Sequence, residues 1–132
     1  MKCSRLAIAV LSIVMVTLAC GFNASTAKIK DAWTARDEAG EDRTTVFGQS
    51  DTFYVKVDLA NAPDDTSVKA SFTVVDAEGE EANTFLDDYE ITSGSNMLTF
   101  NLSNNQLWPV GKYKVELFLN SELERTIEFE VR

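Results

Sequence analysis

Residues 107–119 read LWPVGKYKVELFL. Pro109 and Gly111 make a corner, because Pro fixes one backbone torsion and Gly opens conformations closed to other residues. Beyond the corner, Tyr113, Val115, Leu117 and Leu119 alternate with Lys114, Glu116 and Phe118. A period of two describes a strand with one face on a core and the other toward water.

The same pattern extends outward in both directions. In residues 52–59, TFYVKVDL, Phe53, Val55, Val57 and Leu59 are predicted inward, with Tyr54, Lys56 and Asp58 outward. In residues 68–74, Val68, Ala70, Phe72 and Val74 alternate with Lys69, Ser71 and Thr73. The last strand sets Ile127, Phe129 and Val131 against Thr126, Glu128 and Glu130, and a shorter one holds Leu98, Phe100 and Leu102. A further strand is expected over residues 84–92, and a first one over residues 28–34 with Ile29 and Trp33 inward. Turn residues separate them: 61–65, 76–79 with Gly79 at a positive-φ place, 93–96, Asn104-Asn105 and Asn120-Ser121. About seven short strands in roughly 100 residues predict an all-β, two-sheet antiparallel sandwich as a single domain over residues 27–132.

The segment P-V-G-K-Y-K-V, followed by a hairpin and a closing TIEFEV strand, resembles bacterial immunoglobulin-like and fibronectin type III-like modules over residues 52–131. The resemblance implies that Tyr113 forms a tyrosine corner, its hydroxyl bonded to backbone upstream. It also implies that Val115 and Val55 or Val57 stand where antibody domains keep their inter-sheet disulfide, and Phe72 where they keep a Trp. Such a fold does not by itself give a function.

Upstream, the chain opens MKCSRLAIAVLSIVMVTLAC. Lys2 and Arg5 precede an uncharged apolar run that closes on small residues, the layout of a secretory signal. Residues 1–19 are expected to form a signal helix. Thr17-Leu18-Ala19-Cys20 resembles the lipobox of bacterial lipoproteins, although Thr17 stands where the commonest pattern has Leu. That resemblance implies lipidation of Cys20, a polar tether over residues 20–26, and a protein anchored in a bacterial cell envelope, facing the periplasm or exterior. Cys3 would leave with the signal, so Cys20 would have no disulfide partner in the mature chain. Two or more acyl chains anchor stably where one does not.

Charge and composition exclude several functions. The formal net charge is -9, and removal of residues 1–19 takes Lys2 and Arg5 and no acid, giving -11. Such a chain repels nucleic acid and anionic lipid. With no His, the usual triads, most zinc sites and the commonest general base are absent. The six glycines form no phosphate-cradling loop. No cofactor and no enzyme activity are expected, and only a carboxylate pair would remain for a hydrolase.

Two sets of residues are candidates for binding. Asp76, Glu78 and Glu80 lie in the run DAEGEE, which offers oxygen ligands but lacks the spacing of a calcium loop, so no metal site is expected there. Tyr54, Trp108 and Phe118 are candidates for a contact surface, Trp108 also being expected to cover the end of the sandwich. An unpaired strand edge is a third way to accept a partner. The leading expectation is a non-catalytic envelope lipoprotein whose domain contacts another protein or the cell wall. A small-ligand module for carbohydrate or Ca2+ is the alternative.

Overall fold

The computed structural model describes residues 27–132; the expected signal segment, Cys20 and the tether lie outside the described residues. Eight strands follow in order: β1 (Lys28–Ala35), β2 (Val46–Phe47), β3 (Phe53–Ala60), β4 (Ser67–Ala77), β5 (Thr84–Thr92), β6 (Met97–Leu102), β7 (Gly111–Leu119) and β8 (Glu122–Val131). They form a three-stranded sheet, β1-β3-β6, and a five-stranded sheet, β2-β8-β7-β4-β5. Neighbours pair antiparallel, except that β2 runs parallel to β8. Immunoglobulin sandwiches of the variable type likewise add a strand beside the one here called β4. β5 takes that place.

The alternating residues of β3, β4, β6 and β7 meet between the sheets. Phe53, Val55, Val57, Leu59, Val68, Ala70, Phe72, Val74, Val115 and Leu117 belong to one buried cluster. Aliphatic packing of Val55, Val57 and Val115 therefore stands in for an inter-sheet disulfide. At one end, Phe47, Phe53, Trp108, Tyr113 and Phe129 form an aromatic cluster, with Trp108 stacked on Phe53 at 4.5 Å and Tyr113 on Phe129 at 5.6 Å. The tyrosine corner is present: the Tyr113 hydroxyl donates to the Pro109 carbonyl at 2.5 Å. Burial, followed by the nearby Glu80 carboxylate, pushes the Tyr113 phenol up to about 12. Gly111 has φ 155°, and a Cβ there would stand 2.3 Å from the Asp76 carbonyl oxygen, so the corner admits only glycine.

Three expectations need correction. β2 is an additional strand, two residues long and so too short to show alternation. Trp33 does not point inward. β1 pairs Ile29 with Leu59 but Asp31 with Asp58, so Lys30 is an inserted residue. This bulge flips the phase of everything after it. Ala32 and Thr34 thus take the inner face, and Trp33 lies on the outer face opposite Lys56. Lys56, expected in water, is only 8% exposed. The loop of residues 36–45 folds over this outer face: Lys56 Nζ donates to the Glu38 carbonyl at 3.0 Å and to Thr99 Oγ1 at 2.6 Å, and Trp33 Nε1 donates to the Gly40 carbonyl at 2.9 Å. Arg43 covers the Trp33 ring, its Cζ 3.8 Å from the centroid.

The connections divide between the two ends of the sandwich. β1 starts at the end that carries the turns 61–66, 93–96 and 120–121; the loops 36–45, 48–52, 78–83 and 103–110 occupy the opposite end. Gly79, Asn61, Asn120 and Ser121 take positive φ in these turns.

Candidate interaction surface

The sandwich has two flanks where an edge of one sheet lies beside the other sheet. Their backbone groups can be followed from one bond. Leu59 N donates to Asn96 O at 2.7 Å. Bonded pairs alternate along an antiparallel ladder, so Leu98, Phe100 and Leu102 bond to β3, and Thr99 and Asn101 turn their N–H and C=O groups out of the flank. By the same alternation Ile29 and Thr34 of β1 face the opposite flank. There the Ile29 carbonyl accepts from Arg125 Nη2 at 3.1 Å and the Thr34 carbonyl from Thr44 N at 3.0 Å. These bonds tie that flank across at both ends of β1, although a hollow of about 350 Å³ beside Ala32, Thr34 and Ile127 remains between them. On the β6 side no bond to the outward groups of Thr99 and Asn101 is present among the described residues.

β5 completes the open flank. It pairs with β4 alone, and its register sets Asp87, Tyr89 and Ile91 opposite Phe72, Ala70 and Val68. These residues continue the core-facing side of the five-stranded sheet past the edge of the smaller one. The result is a groove of about 280 Å³ lined by Tyr89, Glu90, Ile91, Thr99, Phe100 and Asn101. Tyr89 in its lining is 41% exposed, as is Met97 at the start of β6, and Phe85 is 58% exposed farther along β5. The Tyr89 hydroxyl donates to Asp87 Oδ2 at 3.0 Å, and that bond raises the phenol's pKa. Another hollow, of about 410 Å³, includes Lys112, Glu128 and Glu130. It lies on β7 and β8, whose backbones there are paired on both sides, as Lys112 with Asp76 and Glu130, and Glu130 with Val46.

The residues singled out from sequence do not converge. Trp108 is 5% exposed, stacked in the aromatic cluster with Nε1 donating to Asp51 O at 2.9 Å, so it is withdrawn from any contact surface. It does cover the end of the core, as expected. Tyr54, half-buried, lies on the outer face of the three-stranded sheet, between Ala35 and Asn101. Phe118 lies on the outer face of the five-stranded sheet, where Lys69 Nζ stands 4.8 Å from its ring centroid. Asp76, Glu78 and Glu80 are exposed, and among the described residues no group of three or more Asp, Glu, His or Cys is placed to hold a metal ion. Sequence reasoning missed Tyr89 and Met97. One signal was available: residues 70–111 contain no Lys or Arg and carry Asp76, Glu78, Glu80, Glu81, Asp87, Asp88 and Glu90.

No protein-family profile and no curated protein sequence matches the chain. Solved structures do. An immunoglobulin-like protein of Pseudomonas aeruginosa superposes with a TM-score of 0.54 at 17% identity, covering 83% of this chain and 99% of that one. The fold is immunoglobulin-like. The C-terminal domain of Wzt matches with a TM-score of 0.51 at 15% identity, over 83% of this chain and 75% of that one. The alkylpurine DNA glycosylase AlkC of Pseudomonas fluorescens, bound to DNA with an abasic site analog, matches at 0.53 and 17% identity. This chain spans 83% of its own length there but only 31% of the glycosylase. At such identities the likeness concerns the fold alone.

Proposed function

We propose that this chain is a non-catalytic lipoprotein of a bacterial cell envelope, anchored through lipid on Cys20, whose immunoglobulin-like domain binds another envelope protein or a cell-wall component. The observation that carries the binding role is the open flank, where backbone without a partner among the described residues and the exposed Tyr89 lie together. An exposed sheet edge is a ready template for another chain. The anchoring role is supported by the apolar run ending at Cys20 and by the start of β1 at one end of the sandwich, so that a lipid tether would leave the opposite loops and both flanks accessible. The charge of -9 favours neither nucleic acid nor an anionic bilayer as partner.

The test of anchoring is the mass of the N-terminal peptide of the mature protein. Acyl chains on wild-type Cys20 and an unacylated product that keeps residues 1–19 for Cys20→Ser are expected; a bare thiol at Cys20 would refute the anchor. The carbohydrate or calcium reading draws on residues that the fold keeps apart or buries. A melting curve unchanged by millimolar calcium is expected, because a ligand of the native state alone would raise the midpoint.

A further inference from the structure

We propose that the open flank takes up one kind of occupant: an extended, basic segment of a partner protein that adds to β6 as a fourth strand of the smaller sheet. The inference rests on the reading of the domain as an interaction module and names its site and partner chemistry.

Sheet edges are normally protected by bulges, charges or a covering element. β1 has its bulge at Lys30, the charges of Lys28, Lys30 and Asp31, and the Arg125 tie. β5 has a register shift opposite Phe72/Thr73 and carries Asp87, Asp88 and Glu90. β2 is two residues long. β6, MLTFNL, has none of these protections: it is uncharged, its register with β3 is unbroken, and among the described residues nothing bonds to the outward backbone groups of Thr99 and Asn101. It is therefore the edge on which ladder bonds can form without disturbing the protein.

Charge selects the occupant. β5 and β6 together carry three carboxylates and no Lys or Arg. A strand added to β6 would turn alternate side chains toward Asp87, Tyr89 and Ile91. Lys or Arg suits those positions, since the aliphatic stem covers Ile91, the cation rests on the Tyr89 ring and the head group reaches the Asp87 carboxylate. The remaining side chains would lie beside the exposed Met97, where apolar groups fit. A second copy of this chain is disfavoured, because it would bring the same acidic β5 against its like.

The test uses the full chain in detergent and a labelled peptide of alternating Lys and Val, with the Glu-Val peptide as control. The basic peptide is expected to bind, to weaken as salt is added, and to slow amide exchange at Thr99 and Asn101. The double variant Asp87→Asn, Tyr89→Ala should weaken it about tenfold, and Asn101→Pro should abolish the added protection. The inference is overturned by any of four results: no binding, equal binding of the acidic peptide, binding without protection of those two amides, or β6-mediated dimers of the free chain. Photocrosslinkers placed at positions 89, 54 and 118 in envelope-bearing cells separate this failure from that of the broader reading. Protein adducts at 54 or 118 with none at 89 overturn the β6 site and keep the interaction module, whereas adducts at none of the three remove both.

Discussion

On one flank of the sandwich the chain itself crosses between the sheets. β1 runs into the 36–45 loop and then into β2, which joins the five-stranded sheet, and Arg125 of β8 reaches back to Ile29. On the other flank β5 and β6 are joined only by the turn 93–96 and form no ladder with each other. The two flanks have the same kind of backbone facing outward. They differ in whether the sequence supplies partners for it. A β-sandwich can thus be fully packed inside and still keep one edge available, because core packing and edge satisfaction are separate requirements.

The largest effect that would break this contrast is expected at Phe47. It is 1% exposed, meets Phe53 at 4.9 Å and Phe129 at 5.5 Å, and holds β2 in place. Phe47→Ala should lower unfolding free energy in urea by about 3–5 kcal/mol, while Phe85→Ala on β5 should stay within about 0.5 kcal/mol. Equal losses would abolish the distinction. Next is Gly40→Ala, on the loop that covers Lys56. A Cβ there would stand 2.6 Å from Lys56 Cγ with φ at +76°, so a loss of roughly 1–3 kcal/mol is expected. No change in the urea midpoint would mean the loop is not seated.

A smaller effect sharpens the corner that ends β7's side of the core. Tyr113→Phe removes the bond to Pro109 O and should cost about 1 kcal/mol. Its pH signature has a definite sign. The folded phenol keeps its proton up to about 12, whereas the unfolded one loses it near pH 10. The unfolded state therefore gains stability as pH rises between those values, and wild-type stability should fall from about pH 10 to about pH 12, more steeply than that of Tyr113→Phe. The smallest effect is at Asp37. Its carboxylate accepts from Asp42 N at 2.9 Å and Glu41 N at 3.2 Å, and the Asp42 bond above all holds its pKa low. The contribution is present above the ordinary carboxyl range and lost as pH falls through it, so acid titration should be slightly less steep for Asp37→Asn. Coincident wild-type and variant curves would contradict this.

Much of the sandwich was legible because β3, β4 and β7 alternate without interruption where their residues enter the core. The Pro-Gly-Tyr corner was legible for the same reason: it rests on local chemistry. What the sequence concealed came from events outside the local pattern. A single inserted residue at Lys30 turned Trp33 outward, and a loop distant in sequence buried Lys56. The candidate site was hidden because β5, TFLDDYEIT, has no regular alternation and because whether a strand lies at an edge depends on its neighbours. Trp108 looked available as a large aromatic in a turn, but the fold turns it onto Phe53.

The contrast between flanks is tested most directly by residue-resolved amide hydrogen exchange on the free monomer. Thr99 and Asn101 should exchange far faster than Leu98 and Phe100 on the same strand, and should become slow only when the Lys-Val peptide is bound. If all four amides are equally protected in the free protein, the flank is closed and the account is wrong.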